Sequence, residues 1–493
     1  LINKTVGLLT LPFLLVLALG GSSSAAPNPY VQIAQLEQLR SLGNGRLAQF
    51  LSSTDRPLAI RAALAIGRTK QRAGVALLSA HLRDRNDGMR AMAVYGLGLI
   101  GDASAVPAVL NALRDSNDVV RVAALDAMDR FVNSHALSGT QPDVGQRSAA
   151  QLLHSKNRVV RARAATTLEG FSGTPEGTAA LKALDSAFLT EHDAFVRWHI
   201  MWTLFRGYAK DVPPSVLASG LSDSDETVRI EAVRAFGRRG DTSAISQLKP
   251  LLSDKSWRVQ EQTLESITVL QGGKMTEHLT RIPTGVRTPA PKADVFAHLP
   301  ALPRTRVTGK PSKPSADNII TRPALDPQTV SLFTGRANGP HPRVRIVTTE
   351  GNVYVELYPE WAPLTVENFL NLANRGYYDN NRWFRIVPDF VVQTGDPNGN
   401  GEGDAGYTIP AEENPIEQDS YVISMGLNYT NPPDAHAIRD SAGTQFYITL
   451  SPQLHLDRDF TVFGRVIGGT DVLGRLIESD KIVRVERLPD SKS

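Results

Sequence analysis

The acidic loop DPNGNGEGD (396–404) is the first stretch whose residue types and spacing suggest chemistry. Asp396, Asn398, Asn400 and Gly401 match positions 1, 3, 5 and 6 of a calcium loop, but position 12 is Tyr407 where a glutamate is needed. The stretch therefore reads as a glycine-rich turn, and no metal is expected. The chain has no cysteine, which excludes thiolate zinc sites, iron–sulfur clusters, disulfides and a cysteine nucleophile. A second set of reactive-looking groups is Arg61, Arg90, Arg121, Arg161, Arg197, Arg229 and Arg258, spaced by 29, 31, 40, 36, 32 and 29 residues. So regular a recurrence reads as a structural ladder, each arginine pairing with an aspartate of the next unit.

The arginines sit in a repeated pattern: a polar turn, a hydrophobic residue, the arginine, then alanines and a late Leu, Phe or Gly. NDGMRAMAVYGLG (86–98), NDVVRVAALDAM (117–128) and DETVRIEAVRAFG (225–237) are examples. Met89, Met92, Ala93, Gly96 and Leu97 fall on one helical face, and Val106, Val109, Leu110 and Leu113 on one face of the helix that follows. Neither helix buries its stripe alone, so a period near 30 residues with two helices predicts an α-solenoid. Asp87, Asp118, Asp193, Asp225 and Asp254 lie where an N-cap or first-turn carboxylate stabilises a helix. Trp198, Trp202 and Trp257 are expected in its core, with contact to a partner as the alternative.

The 493 residues are 41% hydrophobic and 21% charged, ordinary for a multidomain globular chain. The net charge of +3 conceals an asymmetry: residues 343–493 carry −9 and the remainder +12. No basic run is interleaved with aromatics, so no nucleic acid is expected as a partner. Residues 5–19 form an apolar stretch behind Lys4, followed by the small residues GGSSSAA. At about 15 residues this is short of the roughly 20 that span a bilayer, and it has the layout of an export signal. The expected location is periplasmic or secreted, without stable membrane insertion once the signal is cleaved. Residues 283–342 hold 11 of the 31 prolines and read as a basic, semi-extended tether that straps locally against a domain. Its prolines could enter the groove of the domain that follows. The expected division is a signal at 1–26, a solenoid at 27–280, a linker at 281–342 and a C-terminal domain at 343–493.

From Arg343 the texture changes to short strands. RVRIVTTEGNVYVELYP reads as a hairpin, and APLTVENFLNLANRGYYD as a helix that Thr365 can cap. WFRIVPDFVVQTGD, YVISMGL, TQFYITL and FTVFGRVIGG read as further strands, followed by a helix DVLGRLIES and a last strand KIVRVERL. Many short strands with two helices predict a closed antiparallel β-barrel with two capping helices.

The helical pattern, with its Val-Arg-x-x-Ala core, resembles HEAT repeats over roughly residues 40–275. That resemblance implies a protein partner on the solenoid. WFRIVPDFVVQTGDPNGNGEG, SAGTQFYITL and LHLDRDFTVFGRVIGG resemble the cyclophilin family of peptidyl-prolyl cis–trans isomerases, over residues 343–488. The resemblance implies catalytic roles for Arg385 and Gln393. It implies substrate contacts from Phe390, Val391, Gly426, Gln445, Tyr447, His455, Leu456 and Phe460. Five positions depart from the family's usual residues. Val391 stands for a methionine, Gly426 for an alanine, Tyr447 for a phenylalanine and His455 for a frequent tryptophan, while Phe460 takes a position often held by histidine.

These residue types suit rotation about an Xaa-Pro bond, whose barrier is about 18–20 kcal/mol. No bond breaks, so the enzyme has to bind the twisted amide better than either planar form. The twisted prolyl nitrogen regains a lone pair that the fixed, permanently charged Arg385 can hydrogen-bond. Gln393 can hold the substrate backbone, the apolar residues grip the ring, and no cofactor is needed. His455 has the type of a base, but the reaction requires none, so it reads as part of the pocket rim. NYTNPPDAHAIRDSA (428–442) borders the expected groove. The reading is an exported isomerase acting on proline-containing clients; the alternative is a non-catalytic scaffold in which both domains only bind proteins. With His455 in place of tryptophan, cyclosporin-like macrocycles should bind weakly in a competition assay, and nanomolar inhibition would contradict this.

Overall fold

A computed structural model describes residues 28–273, 341–429 and 437–489, with the single positions Asp294 and Ala301. The expected signal, most of the linker, and any entry of linker prolines into the groove lie outside the described residues. At Asp294 the linker does touch the C-terminal domain, where its carboxylate accepts from Asn352 Nδ2 at 2.8 Å and from the Tyr354 hydroxyl at 2.9 Å.

The N-terminal half is helical throughout. Its helices are α1 (Pro29–Gln38), α2 (Arg46–Leu51), α3 (Arg56–Thr69), α4 (Gly74–Ser79), α5 (Asp87–Ile100), α6 (Val106–Ala112), α7 (Asp118–Asn133) and α8 (Gln141–Leu152). They continue as α9 (Arg158–Glu169), α10 (Gly177–Thr190), α11 (Ala194–Tyr208), α12 (Pro214–Leu221), α13 (Glu226–Arg239), α14 (Ile245–Leu248) and α15 (Trp257–Leu270). From α3 onward the odd-numbered helices stack on one another in order, and the even-numbered ones pair with them from the other side. Small residues allow the close approach: a Cβ on Gly67 of α3 would lie 2.6 Å from the Gly96 Cα of α5. Trp198 and Trp202 are each 6% exposed and belong to this core, whereas Trp257 is 38% exposed.

The arginine ladder has a specific geometry. Arg90, Arg161, Arg197 and Arg229 each donate two N–H groups to Asp115, Glu191, Asp223 and Asp254, at 2.7–3.1 Å. Arg90, Arg161 and Arg229 also donate to the backbone carbonyl six residues earlier, at 2.8–2.9 Å. Each of these arginines thus staples the start of its helix to its own turn and to the next unit. As expected, Asp193 and Asp225 are N-caps, and Asp87 and Asp118 are first-turn carboxylates behind the N-caps Asn86 and Asn117; Asp254 is neither, since Ser256 is the N-cap of α15 and Asp254 pairs with Arg229.

The C-terminal domain is an antiparallel sheet of β1 (Arg343–Thr348), β2 (Gly351–Leu357), β3 (Arg385–Val387), β4 (Val391–Thr394), β5 (Val422–Met425), β6 (Phe446–Thr449), β7 (Val462–Gly468) and β8 (Ile482–Leu488). The strand order is β3-β4-β6-β5-β7-β2-β1-β8. The β1–β2 hairpin forms as its alternation predicts. The sheet curls, but the expected full closure is not seen: no ladder joins β3 to β8, and one bridge, Arg382 to Lys481, links the segments beside them. Helix α16 (Pro363–Asn374) packs into the domain's core through Val366, Phe369, Leu370 and Leu372. Its cap is not Thr365: the Glu412 carboxylate accepts from the backbone N–H groups of Leu364 and Thr365 at 3.1 and 2.8 Å. The second expected helix shrinks to the four-residue α17 (Thr470–Leu473), because Gly474 follows at its C-cap.

The two halves are joined by the odd-helix layer, and the contact is ionic. Buried Arg68 donates to the carbonyl oxygens of Glu413, Trp361 and Glu412 at 2.9, 2.6 and 3.2 Å. Arg163 of α9 lies 2.6, 3.1 and 3.5 Å from Glu417, Asp126 and Asp457. Desolvation would lower its pKa, but those carboxylates outweigh it and raise the value. The basic solenoid and acidic sheet domain thus neutralise each other. Arg163→Ala would leave carboxylates buried without their partner, so a loss of about 3–5 kcal/mol is expected in urea unfolding. A loss below about 1 kcal/mol would show the pairing to be solvent-screened.

Candidate active site

Successive side chains on a strand point to opposite faces of the sheet. On β3, β4, β5 and β6, one face carries Ile386, Val392, Ile448, Phe446, Ile423 and Met425 into the domain's core. The register then fixes what the other face carries. Arg385 lies opposite Gln393, Gln393 opposite Tyr447, and Tyr447 opposite Ser424. These four form one row across four strands, on the side away from the core. Beside the row, Val391, Tyr447, Leu456 and Phe460 make a separate apolar cluster, with Phe390, Leu427 and Ala437 packed against it. The Tyr447 and Phe460 rings meet edge-on at 5.8 Å.

Arg385 is exposed at the end of the row, with its guanidinium carbon 5.2 Å from the centre of the Phe390 ring. Phe390 stacks in turn on His455, at 5.6 Å and an interplanar angle of 17°. Partial desolvation lowers the Arg385 pKa and Tyr429 opposes the shift, so from its high ordinary value the group stays cationic. The His455 ring is accessible from a cavity of about 590 Å³ between the two domains, lined also by Phe390, Asp389, Trp202 and Arg234. Desolvation between the facing walls, with Arg206 and Arg234 nearby, lowers its pKa to about 4. His455 is therefore neutral at physiological pH. Burial pushes the Tyr447 hydroxyl well above its ordinary pKa, next to Ser424 and Gln418.

The loop at 396–404 orients the glutamines. The buried Asp396 carboxylate accepts backbone N–H groups from Asn398, Asn400 and Gly401 at 2.7, 2.9 and 2.6 Å. Burial alone would raise its pKa, but these donors lower it. The loop so held presents two carbonyls to Gln445, whose Nε2 donates to Gly401 at 2.8 Å and to Gly403 at 3.2 Å. Gln445 Oε1 then accepts from Gln393 Nε2 at 3.2 Å. Gly426 closes the arrangement: a Cβ there would come within 3.3 Å of both Gln393 Nε2 and Gln445 Cβ. Asp396 and Asn400, which match calcium-loop positions, thus accept from backbone donors within the loop.

The site residues expected from the sequence lie in this row, in the apolar cluster or against them, with Gly426 beside Gln393 and His455 on the Phe390 ring. Gln445 differs in that its amide is turned into the loop and fixes Gln393. The sequence reading missed Leu427 and Ala437. Leu427 directly follows Gly426, and Ala437 lies in the segment 428–442 already placed at the groove. A cation at the edge of an apolar slot, beside an amide of fixed orientation, can bind a ring next to a polar backbone group.

Residues 343–489 match the model of the cyclophilin type peptidyl-prolyl cis-trans isomerase family, and residues 44–129 and 214–282 match HEAT repeats. Peptidyl-prolyl cis-trans isomerase B of Bacillus subtilis is 44% identical over 142 residues, covering 28% of this chain and 93% of that protein. Peptidyl-prolyl cis-trans isomerase CYP18-2 of Arabidopsis thaliana is 41% identical over 144 residues, 29% of this chain and 85% of the relative. The crystal structure of a Cryptosporidium parvum cyclophilin type peptidyl-prolyl cis-trans isomerase is 28% identical, with a TM-score of 0.28, covering 30% of this chain and 97% of that one. Through residues 343–489, behind an N-terminal HEAT-repeat region, the chain belongs to the cyclophilin type peptidyl-prolyl cis-trans isomerase family.

Proposed function

We propose that the C-terminal domain catalyses rotation about Xaa-Pro bonds in polypeptide clients. The observation that carries this reading is the cross-strand pairing of Arg385 with Gln393 beside an apolar cluster separate from the core. The proline ring enters the slot of Val391, Tyr447, Leu456 and Phe460, with Phe390 at its edge. Gln393, its amide N–H committed to Gln445, accepts from the substrate backbone through its carbonyl oxygen. As the amide twists, its nitrogen becomes pyramidal and basic, and Arg385 donates to the new lone pair. Because that lone pair exists only in the twisted state, the interaction favours the transition state over either planar isomer. Gly426 leaves room beside Gln393 for the substrate chain.

The HEAT region supports a protein-binding role, and its odd-helix layer holds the protein's own C-terminal domain. Further protein partners would dock on surfaces this contact leaves uncovered. The apolar stretch 5–19 and its small-residue exit support export, which places the clients in the periplasm or outside the cell.

A protease-coupled cis→trans assay tests the catalytic reading. Wild-type protein should accelerate isomerisation of an Ala-Pro peptide, and Arg385→Ala should lower kcat/KM by about a hundredfold or more. Equal activity in the variant would remove Arg385 from the mechanism, and no wild-type acceleration would leave only binding. The pH profile is a second check. With Arg385 charged and His455 neutral, kcat/KM should be flat within about twofold between pH 6 and 8. An inflection near the ordinary imidazole value of about 6.5 would instead make His455 a titrating participant.

A further inference from the structure

Three loops complete the slot that Val391 and Tyr447 begin on their strands, and each carries a non-glycine residue at positive φ. Asp389 (φ 58°) forms the turn between β3 and β4, next to Phe390. Arg458 (φ 73°) lies between Leu456 and Phe460. Asp440 (φ 59°) ends the segment that brings Ala437 to the slot. A side chain disfavours this left-handed region and glycine does not.

All three side chains are ion-paired to the solenoid. Arg258 of α15 donates to Asp389 Oδ1, and Arg234 of α13 lies 3.6 Å from Asp389 Oδ2. Both arginines are held from behind: Arg258 donates to Glu226 at 2.8 Å, and Arg234 to Gln262 at 2.8 Å and Glu231 at 3.1 Å. The Asp389 carbonyl accepts from Ser451 Oγ and, at 3.0 Å, from Gln453 Nε2, so the turn is gripped at both ends. Arg458 pairs with Asp129 and, at 3.2 Å, with Asp126, both on α7. Arg40, between α1 and α2, donates to Asp440 at 2.6 Å. The contacts run from the first repeat to the last and meet around one groove.

We infer that the solenoid is a working part of the isomerase site, with Asp389, Arg458 and Asp440 as positioning residues through which it sets the slot's width. This rests on the isomerase reading above. The left-handed turns keep charged side chains where glycine would be less strained, because the charge is what the solenoid grips. Short-peptide turnover therefore depends on residues in helices that never touch the peptide.

The test uses the full chain. Glycine suits the turn, so Asp389→Gly removes the grip without straining the loop. It should raise KM for an Ala-Pro peptide about tenfold, with kcat changed less. Arg258→Ala, made in the solenoid, should do the same, and the double variant no more than either alone. Arg72→Ala, at an exposed solenoid arginine, serves as the control and should match wild type. Hydrogen exchange gives a readout independent of activity: amides of 385–393 should exchange about tenfold faster in Arg258→Ala. Wild-type KM and unchanged exchange in both single variants would overturn the inference. Faster exchange in a protein without wild-type turnover would uphold the positioning and refute the isomerase reading instead.

Discussion

The two-residue alternation of the β-strand is the constraint on which the site depends. On β3, β4, β6 and β5 it sends Val392, Ile448, Phe446 and Ile423 inward and Gln393, Tyr447 and Ser424 outward. The inward residues fix the register, since a shift by one would expose the core. Once register is fixed, Arg385 has to face Gln393, and the site needs no separate means of assembly. Precision in the groove is thus inherited from burial on the opposite face.

The second organising force is electrostatic. The helices of residues 28–273, with 29 Lys+Arg against 24 Asp+Glu, sit against a domain of −9, and the contact is made largely by arginines. Arginine suits this because its planar fork binds carboxylates and carbonyls in fixed directions and keeps its charge when buried. Arg68 illustrates the point: it spends its donors on three backbone carbonyls and on Glu37. Such contacts specify one docking geometry, where apolar contact alone would tolerate sliding. Apolar contact is present but local, as where Leu364 meets Val31 and Ala34.

Much of this was legible in the sequence, for identifiable reasons. The repeat announces itself through the spacing of Arg90, Arg121 and their equivalents. The slot residues lie in three contiguous motifs, and the resemblance of those motifs to the cyclophilin family is what gathered them. What escaped are contacts between distant residues. Glu412 caps α16 from 48 residues away, and Thr365, the local candidate, has no such role. Asp389 meets Arg258 across 131 residues, and Arg68 meets Glu413 across 345. No local pattern encodes such pairings. The brevity of α17 was missed because its apolar spacing suits a helix, whereas Gly474 ends it early.

The central claim is that a proline-containing chain turns over in the groove and does not merely lodge there. Two-dimensional exchange NMR on an Ala-Pro peptide with substoichiometric full-length protein tests it most directly. Unaided, the isomers interconvert over tens to hundreds of seconds, too slowly to give exchange cross-peaks. The account predicts cross-peaks linking the cis and trans resonances at subsecond mixing times. Shifted or broadened peptide signals with no such cross-peaks would mean binding without rotation, and would contradict it.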